Sequence, residues 1–183
     1  MPFSSFMIYV RSAIPDIPWE HWLVMAVIAI AVALWGRMRK KFSVYGAVAL
    51  GCTVLFALYL IDAAVVVRWS SDAIQYSGLD LKAEYHRIVD KDLGPRVIML
   101  FNVIVFIPFG VALSEYLCAT RTIAAKRCLG YVALTAFGLS LSMECLQLLF
   151  KVGLFEITDM VLNTLGAVIG AAVSLLIRRI VKA

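Results

Sequence analysis

The sequence predicts an all-α integral membrane protein of about five transmembrane helices, and three observations predict it. Hydrophobic residues make up 63% of the 183 residues, with a mean hydropathy of +0.93, whereas a soluble domain is roughly half apolar. The apolar residues gather into stretches near the ~20 residues that cross a hydrocarbon core of ~30 Å. The basic residues sit in short clusters between those stretches. This arrangement gives the net charge of +5 its meaning. Basic clusters alternating with spans are a topology signal rather than a nucleic-acid footprint, so no nucleic-acid partner is expected.

The first span runs from about Trp19 to Trp35, the second over Val44–Val67, the third over Val97–Cys118, the fourth over Cys128–Phe150 and the fifth over Ile157–Ile177. Ahead of them Phe3–Val10 is apolar but too short to cross, and residues 1–18 are expected to lie in the membrane interface. No basic cluster precedes the first span, so a cleavable signal peptide is not expected. One set of span ends holds Arg37, Arg39, Lys40, Lys41, Arg121, Lys126, Arg127, Arg178, Arg179 and Lys182, with no acidic residue among them. At the opposite ends Arg11, Arg68, Lys82, Arg87, Lys91, Arg96 and Lys151 are interleaved with acidic residues. The positive-inside rule then places the N-terminus outside and the C-terminus in the cytoplasm. Residues 68–96 become the extracytoplasmic loop. Within it, Ser77 and Asp80 have capping-box spacing, and Leu81, Tyr85, Ile88 and Val89 share one face. These features predict a short helix on the outer membrane surface. The whole chain, 1–183, reads as one membrane domain.

With directions assigned, depth can be read from position. Asp62, Asn102, Glu144, Gln147, Asp159 and Asn163 all fall within roughly 10 Å of the outer boundary at 1.5 Å rise per residue. Ser140, Glu144 and Gln147 share one helical face, as do Asp159, Asn163 and Gly166. Ionisable groups facing lipid cost at least ~2.5 kcal/mol at the centre of a span and less near its ends. The set is therefore expected to turn inward and line an outward-open polar cleft, with interhelical glue as the plainer reading of Gln147 and Asn163 alone. Gly166 and Gly170 form a GxxxG, extended by Ser174, that predicts close helix packing. Pro108 and Gly110 predict a kink or break in the third span. Glu115, at the cytoplasmic end of that span, is expected to snorkel or to pair with Arg121.

Little established chemistry is written in the chain. There is no GxSxG elbow, HExxH pair or Gly-rich phosphate loop. His21 and His86 read as interfacial residues. Cys52, Cys118, Cys128 and Cys145 lack metal-ligand spacing and read as small apolar residues. Glu144 and Asp159 could act as acid and base, or with Asp62 offer oxygen ligands to a hard cation. No cofactor and no metal are expected.

Phe101–Gly110 (FNVIVFIPFG), Ser142–Gln147 (SMECLQ) and Ile157–Gly170 (ITDMVLNTLGAVIG) resemble the VanZ-like family of bacterial membrane proteins. The matching positions are Asn102, Pro108, Gly110, Glu144, Gln147, Asp159, Asn163, Thr164, Gly166 and Gly170, so residues 97–175 carry the motif. The sequence departs from the family where members often have an Arg: here that position is Gly153. Either the acidic cluster has no basic partner or Lys151 takes that place. The resemblance implies a multi-pass protein of the bacterial plasma (inner) membrane, tied to the cell envelope. The family's namesake is associated with resistance to the glycopeptide teicoplanin.

The sequence thus supports a non-enzymatic envelope protein whose cleft binds an amphiphile: a membrane lipid, a lipid-linked precursor or a lipoglycopeptide. Asp62, Asn102, Glu144, Gln147, Asp159 and Asn163 would hold the polar head, and the apolar walls of spans three to five the chain. Arg68, Lys91 and Arg96 are expected at the rim, where an anionic head would need them, whereas a cationic head could approach the carboxylates directly. The alternatives are an intramembrane enzyme using Glu144 and Asp159, and a structural or assembly partner. The topology is open to direct test. A reporter active only in the cytoplasm should be active when fused after Ala183, and one active only outside should be silent there.

Overall fold

The computed structural model describes residues 16–39, 42–69, 85, 89 and 93–181. Most of the N-terminal interfacial segment lies outside them, as does the expected surface helix of the long loop apart from Tyr85 and Val89. Among the described residues the chain is helical, and five helices are long and apolar enough to cross a membrane. They are α1 (Trp19–Met38), α2 (Val44–Ile61), α3 (Leu93–Thr120), α4 (Ala125–Phe150) and α5 (Ile157–Val181). A π-helical turn, Asp62–Val66, and a last helical turn, Val67–Trp69, prolong α2.

These segments are helical because a chain inside hydrocarbon must pair its own backbone N–H and C=O groups. Their ends are set locally. Ser43 caps α2, its hydroxyl accepting from the Gly46 N–H at 3.1 Å. At the far end of α4, Lys151 takes a left-handed conformation (φ 57°), and the Val152 N–H donates to the Gln147 carbonyl at 2.9 Å. That reversal brings α5 back alongside α4.

α3 sits at the centre of the bundle. It packs most closely against α5 on one side and α2 on the other, while α4 lies against α5 and α1 lies outermost against α2. Phe106, Phe109 and Leu113 of α3 meet Val132 and Ala136 of α4 and Ala167 and Ala171 of α5 in the core. Leu34, Leu134 and Leu176 are exposed, as suits helices whose outer faces meet lipid.

The α3–α5 contact is a contact between backbones. A Cβ at Gly166 would collide with the Val103 carbonyl, one at Gly170 with the Ile107 carbonyl, and one at Gly110 with the backbone of Ala167. The expected packing role of Gly110, Gly166 and Gly170 is therefore met inside one chain. α3 runs unbroken through Pro108, so the expected break is absent. Proline is tolerated in a membrane helix where packed neighbours hold the chain, and the Gly110–Ala167 backbone contact lies two residues on.

Even one methyl group at Gly166 or Gly170 has no room without moving α3. Gly166→Ala and Gly170→Ala should each lower stability in detergent by about 1–3 kcal/mol, as overpacking does. Gly138→Ala on α4, where a Cβ meets nothing within 4 Å, should be neutral or slightly stabilising. Thermal unfolding of the three variants checks the ordering.

Candidate functional site

The end of the bundle where α2 and α4 finish and α5 begins contains a polar cleft of about 320 Å³. α3 and α5 contribute Asn102, Asp159 and Asn163, and α4 contributes Glu144 and Gln147. Leu60, Ala63 and Ala64 close the α2 side, and Phe106 and Met143 lie beneath. Five of the six residues expected at the cleft therefore line one cavity.

Several of these polar groups are held by the protein itself. The Asn163 amide donates to the Ser140 hydroxyl at 2.8 Å, joining the two polar faces read from α4 and α5. The Gln147 amide donates to the Ala64 carbonyl of the π-helical turn at 3.1 Å. Glu144 accepts from the Glu156 N–H at 2.8 Å, a donor delivered by the reversal that starts at Lys151. Asn102 differs: its Nδ2 is buried and has no hydrogen-bond partner among the described residues.

The sixth residue, Asp62, is a correction. It lies outside the cavity and faces α1, where its carboxylate oxygens stand 2.9 and 3.1 Å from His21 Nδ1. Depth along α2 placed Asp62 in the polar layer, but helical phase does not. Tyr59, Ala63 and Val67 face the cleft, and Asp62 sits about 100° away from Ala63 around the helix axis. His21, expected to be merely interfacial, is thus a hydrogen-bond partner of Asp62. Beside it Trp22 stacks on Tyr59 with ring centroids 5.3 Å apart.

A second correction concerns the departure at Gly153. Lys151 is exposed. Among the described residues the cation that reaches the site is Arg68, whose Nη1 lies 3.4 Å from where a Cβ on residue 153 would stand. Arg68 also lines the cleft. It comes from the turn after α2, more than 80 positions earlier in the chain, and is one of the three basic residues expected at the rim of the cleft.

The opposite end of the bundle holds a cluster that sequence reasoning did not assemble. Glu115 accepts hydrogen bonds from Tyr45, Ser174 and Arg178, the Arg178 Nε at 2.8 Å. Arg178 also stands over the Tyr45 ring at 5.6 Å, and Ser114 reaches Ser174 at 2.8 Å. Glu115 thus pairs with Arg178 of α5, not with Arg121. Three helices are tied together here by one carboxylate. Among the described residues no group of three or more His, Cys, Asp or Glu is placed to hold a metal ion, and all four cysteines are free.

A bundle of apolar, membrane-length helices with a polar cleft at one end defines a multi-pass membrane protein. The model of the VanZ/LLP1 family matches residues 42–178, and the chain belongs to that family. It is similar to Protein VanZ of Enterococcus faecium, with 32% identity over 122 residues that cover 63% of this chain and 68% of the relative. No solved structure matches it. The family match takes in every helix of the cleft and leaves α1, with His21 and Trp22, outside.

Arg178→Ala would leave the half-buried Glu115 carboxylate without its cation. It should cost about 1–3 kcal/mol, below the figure for a fully buried pair because both side chains retain some solvent access. Joining it to Glu115→Gln should recover part of the loss. Thermal unfolding of the two single variants and the double variant measures that coupling.

Proposed function

We propose that the chain is a bacterial cell-envelope protein whose cleft opens on the outer face of the plasma membrane and binds the polar head of an amphiphile. The observation that carries this reading is the Asn102 amide. A polar layer serving only as glue pairs its own members, as Asn163 does with Ser140 and Gln147 with Ala64. Leaving a buried donor unpaired costs about 1–3 kcal/mol. A ligand acceptor entering the cleft would remove that cost. The mixed lining supports the same reading. Arg68 suits an anionic part of a head group, Asn102 an acceptor, and Glu144 and Asp159 an amine or hydroxyl. The ten-to-none basic bias of the other span ends supports the outward direction of the cleft. Its candidate ligands are a membrane lipid, a lipid-linked envelope precursor and a lipoglycopeptide. The family resemblance adds teicoplanin resistance as the cellular readout to try first.

One observation favours a second reading. Glu144 and Asp159 line the same small cavity, as an acid and a base acting on one substrate must. Glu144→Gln and Asp159→Asn separate the readings, because both keep shape and remove charge. The binding reading expects the purified protein to carry an amphiphile from its own membrane. Its retention should fall about tenfold in either variant, the loss of one charge-assisted hydrogen bond, while unfolding temperature changes little. Mass spectrometry of the retained lipids gives the answer. Equal retention in both variants returns the cleft to internal glue. A retained lipid that wild-type protein converts and Glu144→Gln does not would identify the enzyme.

A further inference from the structure

A second cavity of about 330 Å³ lies between α2 and α3, formed by Leu55, Phe56 and Tyr59 on one side and Ile104, Val105 and Pro108 on the other. Trp22 of α1 lies over it. Its lining is almost wholly apolar. Two of its residues, Tyr59 and Val105, also line the polar cleft, so the two cavities share walls. On α2 and α3 the other groove residues, Leu55, Phe56, Ile104 and Pro108, lie further along the helices from the cleft end of the bundle than Ala63 and Asn102. On α3 Asn102, Val105 and Pro108 follow one another at three-residue intervals, and Pro108 lies about 9 Å beyond Asn102 along the axis. On α2 the path runs from Ala63 through Tyr59 to Leu55.

We propose that one ligand occupies both cavities, with its polar head at Asn102 in the cleft and a single hydrocarbon chain passing between Tyr59 and Val105 into the groove under Trp22. This rests on the head-group reading above and adds the route of the chain. The route differs from the sequence expectation, because spans one to three hold the chain and not spans three to five. The geometry commits the groove to a chain rather than to a helix. A helix with side chains is ~10–12 Å across, too wide for a slot between two neighbouring helices of one bundle. A lipid from the bulk bilayer alone would explain the groove but not its junction with a buried, unpaired donor. Pro108 belongs to the wall, which gives that residue a place in the site.

α1 decides whether the slot is covered. The Trp22–Tyr59 stack lies next to the His21–Asp62 hydrogen bond, so that contact holds the aromatic cover on the groove. Asp62, which lies outside the cleft, thereby helps with His21 to shape the chain's path.

Photocrosslinking tests the route. Cells are fed a palmitate analogue carrying a mid-chain diazirine, the full-length protein is purified into detergent so that loosely held lipid exchanges away, and crosslinked peptides are mapped after irradiation. Crosslinks should concentrate on the peptides containing Leu55–Tyr59 and Ile104–Pro108. Val105→Trp, which fills the junction and leaves every head-group residue unsubstituted, should reduce them about tenfold, and so should Asn102→Leu. Circular dichroism and unfolding temperature establish that each variant is folded, and two variants at different depths keep the test alive if one is not. Crosslinks spread evenly over the exposed faces of all five helices would overturn the chain route and leave the head-group reading standing. Groove crosslinks that survive Asn102→Leu and Val105→Trp would overturn the single-ligand proposal, showing that the groove holds membrane lipid independently of the cleft. Groove crosslinks lost in Val105→Trp but unchanged in Asn102→Leu would keep the route and refute the role of Asn102 in holding the head.

Discussion

The backbone contact between α3 and α5 is the constraint on which the rest of the structure depends. Within hydrocarbon there is no water to squeeze out between apolar helices, so association rests on packing and polar contacts. Gly166 and Gly170 let α5 approach the Val103 and Ile107 carbonyls, and Gly110 lets α3 approach Ala167 in return. Such an interlock fixes both the separation and the register of the two helices. Once it is set, Asn102 and Asn163 fall at one depth and Glu115 and Ser174 at another. The cleft and the Glu115 cluster are consequences of one register read at opposite ends.

The two ends use polar residues differently. At the Glu115 end, a carboxylate, a guanidinium, a phenol and two serines satisfy one another and bind α2, α3 and α5 together. At the cleft end, hydrogen bonds inside the layer hold Gln147, Asn163 and Glu144 in place, while the Asn102 amide has no partner among the described residues. A closed network at one end makes the helices a rigid frame for an incomplete one at the other. This is the arrangement expected when positioning groups are locked by their neighbours and the reactive or binding group faces a cavity.

Much of this was legible in the sequence because it depends on local pattern. Membrane spans announce themselves by length and hydropathy, and the boundaries fell within a few residues of the helices observed. The small-residue stripe on α5 pointed to close packing, and the faces carrying Ser140, Glu144 and Gln147 and Asp159 and Asn163 pointed inward. What failed depended on phase or on distant partners. Asp62 was placed by depth, and its phase on α2 turns it to His21. Glu115 was matched with nearby Arg121, whereas its partner Arg178 is 63 positions away. Arg68, expected at the rim, lies beside Gly153, where Lys151 had been the expected substitute. A charge within a span says that it needs a partner, but the fold decides which.

An experimental map of the protein in a lipid nanodisc would test the account most directly at the Asn102 side chain. The account predicts non-protein density in the cleft, with an acceptor atom within hydrogen-bonding distance of Asn102 Nδ2 and α3 and α5 still in backbone contact at Gly166. A cleft closed over an Asn102 amide bonded to the protein itself would contradict it.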